Sequence, residues 1–165
     1  MKTVPDNFTS VTSWIISPSS ADLITFLEAA FGAEEIPGSR IAREDGVIIH
    51  AVVRIGTAMV MLFDSREGWP ASPAFLNLYV EDVQKTYDKA IELGATSVTN
   101  ITELYFGEKV SRIIDPFGNL WWINERVSEE IKDPSASESV AGIAYIQQSL
   151  DEGMKAVKKY HLTIS

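Results

Sequence analysis

The sequence predicts an α+β domain made of two copies of one βαβββ module, pairing as a cupped mixed sheet, plus a C-terminal helix. Three observations predict it. Two amphipathic helix patterns, FLEAAFGAEEI from Phe26 and YDKAIELGATS from Tyr87, each stop at a glycine followed by alanine. Glycine takes the left-handed helix cap without a Cβ penalty. Those glycines, Gly32 and Gly94, stand 62 positions apart, and so do the turn glycines Gly56 and Gly118. Self-similarity at one offset marks a duplicated unit.

Each element has a local reason. Residues 11–16 are a β-branched run and predict a strand. Ser17-Pro18-Ser19-Ser20 breaks it, and Ser19 or Ser20 can cap the next helix, with Asp22 in its first turn. Leu23, Phe26, Leu27, Ala30 and Phe31 recur at helical spacing and form one stripe for burial. A short strand near 33–40, a strand over 47–55, a tight turn at Gly56 and a strand over 58–64 complete the first module. Residues 65–73, rich in Pro, Gly and Ser, link the copies. The second copy repeats the order: a strand over 74–80, Asp82 as helix cap and a helix to Leu93. Short strands around Ser97, a strand over 109–114 and a last strand over 120–126 complete it. Asp115-Pro116-Phe117-Gly118 reads as a turn. The duplicated domain thus covers 1–127, with modules at about 11–64 and 74–126. Residues 128–139 are polar and predict a linker. Residues 140–165 predict a helical extension whose buried face is Ile143, Ile146, Leu150, Met154 and Val157. That helix either clamps its own chain or meets a partner subunit.

Bulk properties exclude several classes. The 165 residues, 45% hydrophobic and 22% charged, suit a globular domain with a real core. No window approaches the roughly 18 consecutive apolar residues of a membrane span. The N-terminal stretch lacks the pattern of a secretory signal, so a cytoplasmic location is expected. There is no cysteine, hence no disulfide framework, thiolate zinc site or cysteine nucleophile. The net charge of −9 argues against nucleic acid and favours cationic ligands, besides keeping the surface soluble. No dinucleotide, P-loop, zincin or hydrolase motif is present.

The module order, FGAEE after the first helix, LYVEDVQKTYDKAIELGAT around the second and the closing DPFGNLWWI together resemble the vicinal-oxygen-chelate superfamily. That superfamily contains glyoxalase I, extradiol dioxygenases, fosfomycin-resistance enzymes and bleomycin-binding proteins. Within it the chain is similar to the PhnB-like group, through His50-Ala51, Gly56 and Met61-Leu62-Phe63-Asp64. The resemblance implies a concave small-molecule site and a homodimer joined through strand edges. It also implies a divalent metal held from the first and last strand of each module. Carried over, the metal positions fall on Thr12, Val60, Ala74 and Trp122, again in pairs 62 apart. None is a metal ligand, since such ions want imidazole nitrogen or carboxylate oxygen. Neighbouring residues do not repair the set. No metal and no other cofactor is therefore expected.

Strand alternation proposes what faces the cup. Over 47–55, Ile49, Ala51, Val53 and Ile55 should pack under the helices, and Ile48, His50, Val52 and Arg54 should face the cup. In the next strand, Met59, Met61 and Phe63 are expected under the helix, with Ala58, Val60, Leu62 and Asp64 towards the cup. In the last strand, Trp122, Asn124 and Arg126 are expected in the cup, and Trp121 and Ile123 in the core. Arg112 matches His50 at the same offset. Tyr105 and Glu108 lie in a loop that borders the cup in relatives, and Trp14 adds an aromatic. The candidate ligand-binding set is His50, Val60, Leu62, Asp64, Trp122, Asn124, Arg112, Tyr105, Glu108 and Trp14. Each has a plainer role available. His50 can be a hydrogen-bonded structural residue, Trp122 core, Asp64 a turn cap, and His161 surface. Three functions follow: a metal-free binder of a small aromatic or cationic molecule; a metal-dependent lyase, isomerase or dioxygenase with a displaced metal site around His50 with Asp64 or Glu108; or an interaction protein working through its C-terminal helix.

Overall fold

The computed structural model describes residues 2–70 and 72–162, with side chains described up to Lys155. Expectations for Val157 and His161 therefore fall outside the described side chains. The chain forms two compact units, Met1–Ala74 and Phe75–Ser165.

In the first unit the order is β1 (Ser13–Ser17), α1 (Ser20–Phe31), β2 (Glu34–Glu35), β3 (Ile41–Ala42), β4 (Ile48–Ile55) and β5 (Ala58–Asp64). The sheet runs β1-β5-β4-β2, with β3 on β4, and β1 is parallel to β5. Ser19 caps α1 by accepting from the Asp22 amide, and Gly32 ends it in the left-handed region at φ 64°. The α1 stripe of Leu23, Ile24, Phe26 and Leu27 is buried on the sheet face carrying Ile15, Ala51, Val53, Val60 and Leu62. Each such aliphatic side chain contributes about 1.5–3 kcal/mol by leaving water.

In the second unit the order is β6 (Phe75–Tyr79), α2 (Val83–Glu92), β7 (Thr96–Leu104), β8 (Glu108–Ile114), β9 (Leu120–Arg126) and α3 (Ser137–Leu162). The sheet runs β6-β9-β8-β7, with β6 parallel to β9. Asp82 caps α2 by accepting from the Lys85 amide at 2.9 Å. The α2 side of this sheet carries Ser111, Ile113, Trp121 and Ile123, all buried. Among the described residues no helix is long and apolar enough to cross a membrane.

The tandem βαβββ reading and the β5 and β9 bounds hold as expected. β7 is longer than expected, nine residues in all. Two further differences matter for the site. First, Val60 and Leu62 do not face the open side of their sheet. Leu62 pairs with Ala51 and Val60 with Val53, so both share the core face, and Leu62 is 0% exposed. Met61 and Phe63 take the open face instead. The two-residue loop Gly56-Thr57 pairs Ile55 with Ala58 and fixes this parity. The corresponding loop in the second unit is three residues longer, since Ile114 pairs with Leu120. An odd insertion reverses strand parity. The offset of 62 therefore keeps the face between β4 and β8 but inverts it between β5 and β9, putting Val60 and Trp122 on opposite sides.

Second, α3 begins at Ser137 and packs on its own unit along a face rotated from the expected one. Gly142, Ile146, Ser149 and Gly153 line the contact. Ile143 and Leu150 are half-buried at its margins, while Met154 is 49% exposed. A Cβ on Gly142 would touch Leu104, and one on Gly153 would collide with Val98. Helical glycines cost about 1 kcal/mol each against alanine, which this close approach to β7 offsets. The seam is made by small residues, so a search for large apolar residues at helical spacing misses it.

Candidate functional site

The open face of the first sheet is aromatic. Trp14 pairs with Met61, and Val52 with Met61, so Trp14, Ile16, His50, Val52, Met61 and Phe63 share the side away from α1. The Trp14 ring meets His50 edge-on at 5.6 Å and Phe63 at 5.4 Å. Phe63 in turn meets Trp69 at 6.0 Å, and the Arg66 guanidinium lies over Trp69 at 5.1 Å. Trp14 and Trp69 remain 43% and 44% exposed. Trp69 comes from the segment 65–73, so that segment contributes to the face besides linking the modules. Edge-to-face contacts hold such rings in fixed relation.

His50 is held by its backbone surroundings. Its Nδ1 lies 3.2 Å from the Ser39 carbonyl oxygen. A carbonyl only accepts, so Nδ1 is the donor of this contact, and in a neutral ring Nε2 would then be left as an acceptor. This combines the structural and the site reading: one nitrogen is used for anchoring and the other offers a lone pair.

Asp64 is committed elsewhere. Its Oδ1 accepts from the Ser20 amide at 2.6 Å, and its Oδ2 from the Ile48 amide at 2.7 Å. It ties the N-terminus of α1 to the sheet, on the same side of β5 as Val60 and Leu62. Glu125 repeats this device in the second unit by accepting from the Val83 amide at 3.0 Å. The plainer reading of Asp64, as a cap, is the one that its contacts support.

The side of the second sheet away from α2 is only partly open. Phe75, Asn77 and Tyr79 on β6 are exposed there, beside Trp122 and Asn124 on β9. Phe75 and Trp122 stack at 6.5 Å and 9°. The Asn124 amide nitrogen donates to the Asn77 side-chain oxygen at 2.7 Å. Tyr79 donates its hydroxyl to Glu108 at 3.1 Å, and burial, more than this bond, pushes the phenol pKa up. Tyr105 packs edge-on against Phe106 at 5.2 Å, and its carbonyl accepts from the Lys132 amide at 2.8 Å. It therefore braces the segment leading to α3.

Arg112 departs most from expectation. It does belong to the side away from α2, pairing with Trp122. Yet α3 covers that side over β7 and β8, leaving Arg112 2% exposed. Its guanidinium lies over the Trp122 ring at 3.7 Å. Burial lowers its pKa.

The metal expected of the fold's relatives finds no donor set. Thr12 donates its hydroxyl to the Thr9 carbonyl, Val60 lies in the core, Ala74 has no donor side chain, and Trp122 offers only an N–H. The register moves the first-module position from Val60 to Met61 without supplying a donor suited to such a metal. Among the described residues no three His, Asp or Glu side chains converge as a metal site.

Comparison with known proteins agrees with this fold. An uncharacterised protein of Mycobacterium tuberculosis (strain ATCC 25618 / H37Rv) is 32% identical over 126 residues, covering 70% of this chain and 73% of its own. A counterpart in Mycobacterium bovis is also 32% identical over 126 residues, covering 70% of this chain and 82% of its own. Among solved structures, a Pseudomonas aeruginosa protein superposes with a TM-score of 0.60 at 14% identity, covering 73% of this chain and 99% of that one. A PhnB protein from Bacillus cereus gives 0.56 at 16%, covering 71% and 99%. TioX from Micromonospora sp. ML1 gives 0.55 at 21%, covering 71% and 96%. At such identities these structures establish the fold alone. The family model described as Glyoxalase/Bleomycin resistance protein/Dioxygenase superfamily matches residues 10–123, and the chain belongs to that superfamily.

Proposed function

We propose that the protein binds a small aromatic molecule, neutral or cationic, on the open face of its first unit, and does so without the metal of its catalytic relatives. The observation that carries this reading is the ring cluster of Trp14, His50, Phe63 and Trp69, with two of its indoles still exposed. An aromatic wall recognises ring systems by stacking and cations by their attraction to the ring face. The Nε2 lone pair of His50 supplies one directional contact, for an N–H or O–H on the ligand. The net charge of −9 favours cations among such ligands. Homodimerisation belongs to the same proposal and is checked by sedimentation equilibrium.

Titration calorimetry with phenyltrimethylammonium, against tetramethylammonium as the ring-free control, tests the reading. Trp14→Ala is expected to weaken phenyltrimethylammonium binding by about tenfold, the loss of one cation–π and stacking contact. Equal binding by wild type and Trp14→Ala, or equal affinity for both cations, would overturn it. Metal analysis of protein purified without chelator is the second arm. Substoichiometric nickel, iron, manganese and zinc are expected, whereas one tightly held ion per chain would sink the metal-free reading.

A further inference from the structure

Arg112 is a buried cation with no acid partner among the described residues. Its Nη1 donates to the Ile146 carbonyl at 2.6 Å and to the Thr99 hydroxyl at 3.2 Å. Its Nε is buried with no hydrogen-bond partner, and so is the Nε1 of the adjoining Trp122. Among the described residues no carboxylate pairs with it, and burial is the whole cause of its lowered pKa. Buried charges are normally paired, because desolvating an ion costs several kcal/mol. The helix segment above Arg112 offers Gly142, Ile146, Ser149 and Gly153, while Glu138, Asp151 and Glu152 of the same helix are exposed.

A purely structural arginine would be expected to use all its donors. Here the Nε side of the fork stays unused, and one Nη donor is held by a main-chain carbonyl that also accepts from the Ser149 hydroxyl at 3.3 Å. A carboxylate satisfies a guanidinium through two parallel N–H···O bonds and supplies the missing charge. Trp122, stacked on the exposed Phe75, offers an apolar wall for the rest of such a ligand.

We infer that Arg112 anchors a site for a small organic carboxylate, and that α3 is its cover, with the Ile146 carbonyl holding the place of a carboxylate oxygen. Small residues line the closest approach of α3, since three of the four there are glycine or serine, while Ile146 at the centre and Ile143, Tyr145 and Leu150 at the margins supply the apolar contact that opening would have to break. This site is built from residues of the second unit and takes ligands of opposite charge to those proposed for the first, so the two readings fail independently.

The test is calorimetry on the full chain with benzoate, its neutral counterpart benzamide, and inorganic phosphate. Benzoate is expected to bind, with benzamide and phosphate at least about tenfold weaker. Gly153→Ala pushes α3 off Val98 and is expected to tighten benzoate binding several-fold. Val98→Ala added to it removes the γ-methyls that the new methyl would strike, leaving the Val98 Cβ at 3.3 Å, and should return the affinity most of the way to wild type. Arg112→Lys keeps the charge without the fork and is expected to lose at least about tenfold. Circular dichroism establishes which variants fold, and the Gly153 pair keeps the test standing if the Arg112 variant does not. Hydrogen exchange of α3 should quicken when benzoate is added. No benzoate binding to either wild type or Gly153→Ala overturns the site. So does equal affinity for benzoate and benzamide, or undiminished binding by folded Arg112→Lys. Phosphate binding as tightly as benzoate overturns the carboxylate assignment, and unchanged affinity in Gly153→Ala overturns the cover.

Discussion

Asp64 and Glu125 perform one task in two places. Asp64 ends β5, Glu125 is the penultimate residue of β9, and each accepts the first amide of its unit's helix. A carboxylate there satisfies a donor that the helix cannot, and complements the helix dipole. Asp64→Ala is expected to lower stability by about 1–2 kcal/mol, read by urea denaturation, with Asp64→Asn recovering part of it through the amide oxygen. Both variants, once folded, should bind phenyltrimethylammonium as the wild type does, because Asp64 shares the α1 side of β5 with Val60 and Leu62, away from the aromatic face. Asp115 is a buried carboxyl with a structural task of its own. It accepts from the amides of Phe117 and Asn119, the Asn119 side chain and the Trp121 indole, each at 2.9 Å. Burial pushes its pKa up while these donors hold it back. Asp115→Asn turns an NH2 group towards donors, and a loss of about 1–3 kcal/mol in denaturant unfolding is expected.

At the scale of elements, α3 is the part that most changes the character of its unit. Its contact closes over Leu104, Val110, Ile114 and Leu120. The Thr99 and Ser149 hydroxyls meet at 2.7 Å, and the Tyr145 hydroxyl accepts from the Asn100 amide at 3.0 Å. Ile146→Ala is expected to cost about 2–4 kcal/mol, measured by chemical denaturation. The segment before α3 is pinned by charge. Lys132 meets Glu103 at 2.9 Å, and Ser135 donates twice to the Asp133 carboxylate. The Lys132 bond holds the Glu103 pKa below its usual value, and the Ser135 donors do the same for Asp133. A depressed folded-state pKa means that the stability these groups add is complete above the ordinary carboxylate range and lost as pH falls through the folded values. Hydrogen exchange over 128–139, corrected for intrinsic rates, should therefore show earlier opening in acid than exchange over β8 and β9. Equal onset in both regions would contradict this.

At the scale of the whole molecule, a duplicated module has become two unlike units. The first keeps the side away from its helix open and lined with rings. The second has a helix on both sides and a buried arginine between sheet and cover. The two proposed ligands consequently carry opposite charge, and the excess of acid should separate them. Raising the salt from about 0.05 M to about 0.5 M screens the field of the whole chain. Phenyltrimethylammonium affinity is expected to weaken over that range, and benzoate, bound inside against the overall charge, should weaken less or tighten. Calorimetry at the two salt concentrations decides it.

The sequence alone determined the order of the principal elements, but not that the short strand expected near 33–40 divides into β2 and β3 or that those expected around Ser97 join into β7. Ser19 and Asp82 were legible as caps, and Gly32 and Gly118 as positive-φ positions, because these depend on a few adjacent residues. His50 was legible as a residue of the open face, since alternation within a strand is a local property, whereas Trp14 was named only as an aromatic and its place beside His50 comes from the pairing of β1 with β5. Which way β5 faced depended on the length of the Gly56-Thr57 loop compared with the longer loop before β9, a matter of pairing across the hairpin. That signal was present in the sequence and was masked by the equal spacing of the turn glycines. The fate of Arg112 was not legible in the same way. Its strand position assigned it a side of the sheet, but only the tertiary packing placed α3 over that side. The helix fits there because Gly142, Ser149 and Gly153 carry too little side chain to keep it away.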